Sequence, residues 1–227
     1  MKTLQKFYFP AFIIEAVRPF AGKAYNATIE IVAKNGELFI GGTDRVNMLY
    51  TRISEFMKDS LYKNEINGDF RAKINIADLS QYADEFCKNF SARERRMIVL
   101  GIEIIEKDNG VNVARIFVPD YNRDAMESDI DYADFLDGSY FSHLNHIVSC
   151  NNPECDEASH IPLECMKMSK KALKLLTGKS IDPVFKENGW EKMAFLFNEN
   201  FIIVIPGFRK SFVKGHYSTE PGQWANI

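Results

Sequence analysis

The stretch that decides the fold of the first half of the chain covers residues 27–53 and reads ATIEIVAKNGELFIGGTDRVNMLYTRI. Polar and apolar residues alternate before Asn35-Gly36, and this dipeptide is a strong signal for a two-residue hairpin turn. The sequence therefore predicts two paired antiparallel strands. After Gly41-Gly42, the partial alternation of residues 46–53 predicts a third strand.

Residues 10–21 begin with a proline and end before a glycine, which favours a short helix ahead of the first hairpin. A second unit of similar pattern follows that hairpin. Residues 70–76 are predicted as a strand, a helix is expected to open near Asp78, and residues 96–118 form another hairpin around the turn at 108–110. The order is βαβββ and then βαββ. Antiparallel hairpins in a repeated unit predict an α+β fold.

The second half has weaker signals. The acidic stretch over residues 120–137 is interpreted as a connection. A helix is expected over 140–148, and a strand followed by a helix within 161–179. Three short strands are predicted to close the fold, at 181–186, 192–197 and 201–205.

These patterns predict the domain organisation. We expect a first domain over residues 1–120, a shortened second domain of the same kind over 121–209, and a C-terminal tail over 210–227. A length of 227 residues suits two domains of about 110 residues each.

Composition excludes several classes of protein. Hydrophobic residues make up 46% and charged residues 26% of the chain, which is typical of a globular protein rather than a disordered one. The net charge of -3 excludes a histone-like basic protein but allows a local nucleic-acid surface. No apolar run approaches the roughly 18 residues of a membrane span, and we expect no signal peptide. The prediction is a cytoplasmic protein of a bacterium or an infected host cell, with its cysteines reduced.

Four stretches carry a resemblance to a known family. AVRPFAGK (16–23) followed by IEIVAKNGELFIGGTD (29–44) looks like the first unit of DNA polymerase sliding clamps of the bacterial beta type, especially those carried by phages. MSKKALKLLTG (168–178) and FIIVIPGFR (201–209) resemble the helix and final strand of that family. Under this resemblance the glycine pair relaxes the end of a strand, and Asp44 closes a turn by accepting hydrogen bonds from backbone amides.

The resemblance implies both a fold and a function. The fold would consist of βαβββ repeats with antiparallel sheets outside and helices inside. The function would be that of a non-catalytic processivity factor that encircles duplex DNA and has no cofactor. Its partners would be duplex DNA, a DNA polymerase and a clamp loader. Because two domains per chain require three chains for a six-domain ring, a homotrimer is expected.

A clamp needs positive charge on its inner helices, because phosphate contacts bind DNA without regard to sequence. The lysines of the predicted C-terminal helix follow the spacing i, i+3, i+4 and i+7, which places them on one stripe. An ordinary solvated helix face is the alternative. Arg18 and Lys23, near the end of the first helix, are further candidates. The lysines are Lys167, Lys170, Lys171 and Lys174.

The resemblance also implies an apolar groove for client peptides, with affinity from buried anchors and backbone edges. The alternative for Leu175, which lies on the predicted helix, is that it is simply part of the core. The candidate pocket residues are Leu175, Ile205, Pro206, Phe208 and Arg209.

A histidine and cysteine cluster begins within the predicted helix at 140–148 and extends to residue 160, just before the predicted strand. Imidazole and thiolate are ligands that zinc prefers. The spacing is looser than in common zinc sites, so an ordinary loop without metal is the prediction and structural zinc is the alternative. The zinc candidates are His143, His146, Cys150, Cys155 and His160.

Catalysis has little support in the sequence. Carboxylates in the acidic run suit divalent ions, but no complementary lysine or histidine motif accompanies them, and no phosphate-binding loop or dinucleotide motif is present. The prediction is a protein that is not an enzyme. Two alternatives to the clamp remain: a small regulatory protein that binds replication proteins, and a zinc-stabilised DNA-binding protein.

Overall fold

In the part of the chain that the structure describes, eleven strands form one antiparallel sheet with helices packed on it. The structure is a computed structural model. It describes residues 1–22, 24, 26–88, 90–119, 121, 124–142, 144, 161–188 and 193–206.

The elements have the following bounds. The strands are β1 (Lys2–Pro10), β2 (Thr28–Lys34), β3 (Glu37–Thr43), β4 (Met48–Arg52), β5 (Phe70–Asn75), β6 (Val99–Glu106), β7 (Asn112–Phe117), β8 (Met126–Ala133), β9 (Lys186–Asn188), β10 (Met193–Phe197) and β11 (Phe201–Pro206). The helices are α1 (Phe12–Val17), α2 (Ile53–Phe56), α3 (Ile76–Cys87), α4 (Ala92–Arg95) and α5 (Leu163–Thr177).

The strand order is β1-β6-β7-β8-β5-β2-β3-β4-β11-β10-β9. β8 joins the two hairpin units, because its first half pairs with β7 and its second half with β5. β11 continues the sheet beyond β4. β8 follows the predicted boundary near residue 121, although both of its partners precede that boundary. The division into 1–120, 121–209 and 210–227 stays a prediction.

The hairpins predicted in the first half are confirmed. β2 pairs with β3 around Asn35-Gly36, and both turn residues have the positive φ, 53° and 78°, that a two-residue turn of this hand requires. β6 pairs with β7 around the turn at 108–110. The helix predicted over 10–21 is shorter and covers Phe12–Val17.

Other expectations were wrong. Residues 120–137 are not only a connection, because β8 lies within them. α3 begins at Ile76 and is capped by Asn75, whose side chain accepts a hydrogen bond from the amide of Ala77. No strand precedes α5 at residues 161 and 162. Residues 181–185 are not a strand either, since β9 begins at Lys186.

Apolar clusters lie on both faces of the sheet. The larger one joins the buried faces of α1, α3 and α5 to the sheet, and α5 packs mainly on α1. The smaller one covers the opposite face of β2, β3, β4 and β11 with Phe141 and Leu144. Helices α1, α3 and α5 therefore share one face of the sheet, and the described residues of the 135–144 segment close part of the other.

The glycine pair of β3 is required by packing on both faces. A Cβ atom at Gly41 would lie 2.2 Å from Cδ1 of Tyr50, so the buried tyrosine ring occupies the space of the missing side chain. A Cβ atom at Gly42 would lie 2.9 Å from Cγ1 of Val17, on the side where α1 packs. Each glycine thus admits a close neighbour on one face of the sheet.

Asp44 organises the turn that follows. Its Oδ1 accepts hydrogen bonds from the amides of Val46 and Asn47, at 2.9 Å and 2.6 Å. The Thr43 hydroxyl accepts from the amide of Arg45 at 2.9 Å, and Arg45 adopts a φ of 74°. The predicted structural role of Asp44 is therefore confirmed.

Candidate nucleic-acid interface

The helix α5 carries the candidate DNA-binding stripe. Its buried side chains recur at helical spacing and pack toward α1. Gly178 ends the helix with a φ of 74°, the left-handed conformation that suits a C-terminal cap. One face of α5 is thereby fixed against the core, and the other is left to solvent. The buried residues are Cys165, Ser169, Ala172, Leu173 and Leu176.

The structure places all four candidate lysines on the exposed face of α5. Lys167 pairs with Glu164 at 3.0 Å and Lys170 with Asp182 at 2.5 Å. Within the described residues, Lys171 and Lys174 enter no salt bridge. Exposed ion pairs contribute little stability, so the paired lysines can exchange a carboxylate for a phosphate at small cost.

The neighbouring helices add little positive charge. The Arg18 guanidinium, just after α1, lies 3.1 Å from the carboxylate of Asp84 on α3. α3 also exposes Glu85, which accepts a hydrogen bond from the side chain of Gln81 at 3.2 Å. Lys23 lies outside the described residues. Among α1, α3 and α5, exposed positive charge is thus concentrated on α5, and a second basic group lies around α4 at residues 88–97.

The predicted pocket residues do not share one environment. Ile205 is fully buried in the core, whereas Leu175 is half-buried and packs against that core. Pro206 is half-buried at the end of β11. Phe208 and Arg209 lie outside the described residues. The groove stays a prediction, and access to Ile205 would require movement of its neighbours.

An arginine that the sequence analysis did not select ties the last turn of α5 to the β6 side of the fold. Arg96 donates from Nη1 to the carbonyl of Leu175 at 2.7 Å. A cation near the C-terminal end of a helix also interacts favourably with the helix dipole. This contact helps to fix the orientation of α5 on the sheet.

All five zinc candidates lie outside the described residues, so the zinc alternative stays a prediction. Among the residues that the structure does describe, no group of three or more potential metal ligands occurs. Cys87 and Cys165 are buried free thiols, and burial is the main cause that raises the pKa of each. Cys165 donates from Sγ to Oδ1 of Asn47 at 3.3 Å.

Sequence reasoning missed a buried carboxylate, Glu30, on the face opposite the helices. The Tyr50 hydroxyl donates to it, and the amides of Tyr140 and Phe141 donate at 3.2 Å and 3.1 Å. The ammonium group of Lys73 lies 4.0 Å away. The available signal was a glutamate in the middle of an otherwise apolar strand. Its role is to bind the 135–144 segment to the sheet.

The curled antiparallel sheet with helices on one face is a clamp-like fold. It is similar to two solved DNA polymerase clamps from Pseudomonas aeruginosa, one described as the polymerase III beta subunit and the other as a sliding clamp with ligand. The TM-scores are 0.50 and 0.53 and the identities 12% and 11%. A third is the polymerase III beta subunit of Thermotoga maritima, with a TM-score of 0.51 and 11% identity.

The similarity covers 92% of this chain and 66–67% of those chains, so the chain spans about two thirds of their length. At this identity the similarity concerns the fold alone. No protein-family model matches the sequence, and no curated protein matches it. Among the described helices, none is long and apolar enough to cross a membrane.

Proposed function

We propose that this chain is a clamp-like, non-catalytic processivity factor that holds duplex DNA through the exposed face of α5. The observation that carries the proposal is a row of exposed lysines on the helical side of a clamp-like sheet. Binding would be independent of sequence, because lysine contacts to phosphates do not read base edges.

In the proposed complex, Lys171 and Lys174 make the first phosphate contacts, because neither has to leave a carboxylate partner within the described residues. Lys167 and Lys170 follow by exchanging their surface carboxylates for phosphates. Asp84 and Glu85 on α3 oppose close approach on that side. DNA therefore lies along α5 rather than evenly across the helical layer.

The proposed assembly is a ring of three copies around the duplex, placed there by a clamp loader and bound by a DNA polymerase of a bacterial or phage replication system. A ring retains DNA by topology, so weak phosphate contacts are enough. The competing function is a regulatory protein that binds replication proteins without encircling DNA. The acidic exposed side of α3 favours this competitor.

The DNA contact is tested by the salt dependence of binding to a short duplex. Each phosphate neutralised on B-DNA contributes about -0.9 to the slope of log K against log salt. The double variant Lys171→Gln and Lys174→Gln is expected to make the slope shallower by about 1.8.

The matched control removes two exposed lysines from β1 and the loop beside it, with the changes Lys2→Gln and Lys63→Gln. It should leave the slope unchanged. If the α5 variant and the control alter the slope equally, binding follows total charge, and the assignment of α5 as the DNA surface is wrong.

A further inference from the structure

An apolar cavity opens where α4 leads into β6. Its lining residues are far from α5 in the sequence. The cavity volume is about 290 Å³, just below the roughly 300–1,000 Å³ range of ligand pockets. The aromatic rings of Tyr62, Phe90 and Tyr121 line it, together with Ile98 and Val118.

The cavity is held in shape by its surroundings. Phe86 stacks on Phe90 at 5.4 Å between ring centroids and meets Tyr121 edge-on at 4.8 Å. Ser91 and Glu94 form a capping box that fixes α4. Hydrogen bonds from Ser91 lower the pKa of Glu94, so this carboxylate is ionised and already engaged. A preformed site loses less conformational entropy when a ligand binds.

The rim leaves large apolar side chains in water. Met97 is 81% exposed and Tyr121 is 51% exposed, and both line the cavity. Covering such surface is favourable by about 25 cal/mol per Å² of apolar area. Methionine also adapts its shape to different partners. The patch therefore favours an occupant with an apolar anchor.

Glu94 is the charged residue of the lining and its carboxylate is held in the capping box, so the charge beside the cavity specifies the occupant further. Residues 88–97 contain four basic side chains and one acidic side chain, a net charge of +3 in a chain whose net charge is -3. Arg95 donates to the main-chain carbonyl of Phe90 and Arg96 to that of Leu175, and neither contact neutralises a charge. Within the described residues, no carboxylate forms a salt bridge with these two arginines or with Arg93.

We propose that this cavity is a docking site for an acidic peptide segment of a partner protein, with an apolar side chain as the anchor. The anchor packs into the cavity against the rings of Phe90 and Tyr121, which contact each other edge-on at 6.4 Å between centroids, and the carboxylates lie against Arg93 and Arg95. A second copy of this chain is disfavoured, because a two-fold contact would bring the basic residues of 88–97 against themselves. The lining of the cavity includes no residue of α5, although Arg96 beside it donates to the carbonyl of Leu175 on α5, and peptide binding needs no DNA.

The test measures binding of labelled hexapeptides to the full chain without DNA, by fluorescence anisotropy. One probe has a central tryptophan and leucine flanked by aspartates, and the other has lysines in place of the aspartates. The acidic probe is expected to bind at least about tenfold more tightly. Equal affinity of the two probes, or no binding of the acidic probe at millimolar concentration, would overturn the proposal.

The position of binding is tested with Met97→Glu, which should weaken the acidic probe by about tenfold or more. Because Met97 is 81% exposed, the change should leave the fold intact. Val111→Glu makes a similar exchange at an exposed position at the far end of the β6–β7 hairpin and should change nothing. Equal effects of both variants would contradict the location. A protein dimer that Met97→Glu abolishes would assign the patch to a second copy instead.

The α5 variants separate this proposal from the DNA proposal. The double variant Lys171→Gln and Lys174→Gln should leave peptide affinity unchanged while it alters the salt dependence of DNA binding. Peptide affinity that falls with the α5 variants would show that the probe binds α5, and the docking site would be wrong.

Discussion

Replacing Gly41 by alanine tests why a strand in the middle of the sheet carries a glycine pair. The added methyl carbon would lie 2.2 Å from Cδ1 and 2.4 Å from Cγ of Tyr50. The ring is fully buried and stands 5.2 Å from Phe141, edge-on, while its hydroxyl group donates to Glu30. Tyr50 therefore cannot move away without breaking contacts at both of its ends.

The expected cost follows from these contacts. Overpacking a well-packed core costs about 1–3 kcal/mol, and loss of a hydrogen bond to a charged group adds about 1.5–3 kcal/mol. We expect Gly41→Ala to lower the free energy of unfolding by about 3–5 kcal/mol. For a chain of this size that corresponds to a fall in Tm of about 6–20 °C.

The assay is urea and thermal unfolding followed by circular dichroism. Gly36→Ala is the control, because Gly36 has a φ of 78° and nothing within 4 Å of the added Cβ. It measures backbone strain alone, about 1–2 kcal/mol. In a Tyr50→Ala background the cost of Gly41→Ala should fall, because the ring is gone. A cost no larger than that of Gly36→Ala, or an equal cost without the ring, would refute the packing argument.

Two further predictions concern the face that the 135–144 segment covers. Glu30→Ala leaves the Tyr50 hydroxyl and the Tyr140 amide without their acceptor, whereas the Phe141 amide keeps Ser139 Oγ at 3.0 Å, so it should cost about 3 kcal/mol or more in urea unfolding and speed hydrogen exchange at the Tyr140 amide; unchanged exchange there would contradict the assigned role. Burial, and then the charge of Glu30, raise the pKa of Tyr50 well above 10.0. Above pH 10.0 the Tyr50 hydroxyl loses its proton in the unfolded chain but keeps it in the folded chain. The free energy of unfolding should therefore fall as the pH rises, and it should fall less steeply in Tyr50→Phe. Equal slopes of the free energy of unfolding against pH in both proteins would show that Tyr50 is not responsible.

The elements that the sequence predicts well are those specified by local chemistry. Asn35-Gly36 needs only its own backbone preferences to make a turn, and the hairpin around it is confirmed. β8 was missed because the carboxylates at residues 127, 129 and 131 favoured an acidic connection, although they alternate with the inward positions Met126, Ser128, Ile130 and Tyr132. The polar Ser128 interrupts this period of two, and the pairing with β5 and β7 identifies the strand.

The residues of the candidate site also fall into two groups, those that local sequence predicts and those that it does not. The lysine stripe of α5 follows from helical spacing alone, and the exposure of that stripe agrees with the spacing. The pair between Arg18 and Asp84 joins residues far apart in the sequence and could not be inferred from either one. The same holds for Glu30, whose amide partners follow it by more than a hundred residues.

The most direct test of the central claim measures retention on DNA with blocked and open ends. A duplex is tethered to a bead at one end, the chain is allowed to slide on over the free end, and that end is then blocked with a bulky protein or left open before a wash at high salt. Phosphate contacts weaken at high salt, whereas a closed ring does not. We expect the chain to stay on the blocked duplex and to leave the open one. Equal loss from both would contradict a clamp that encircles DNA.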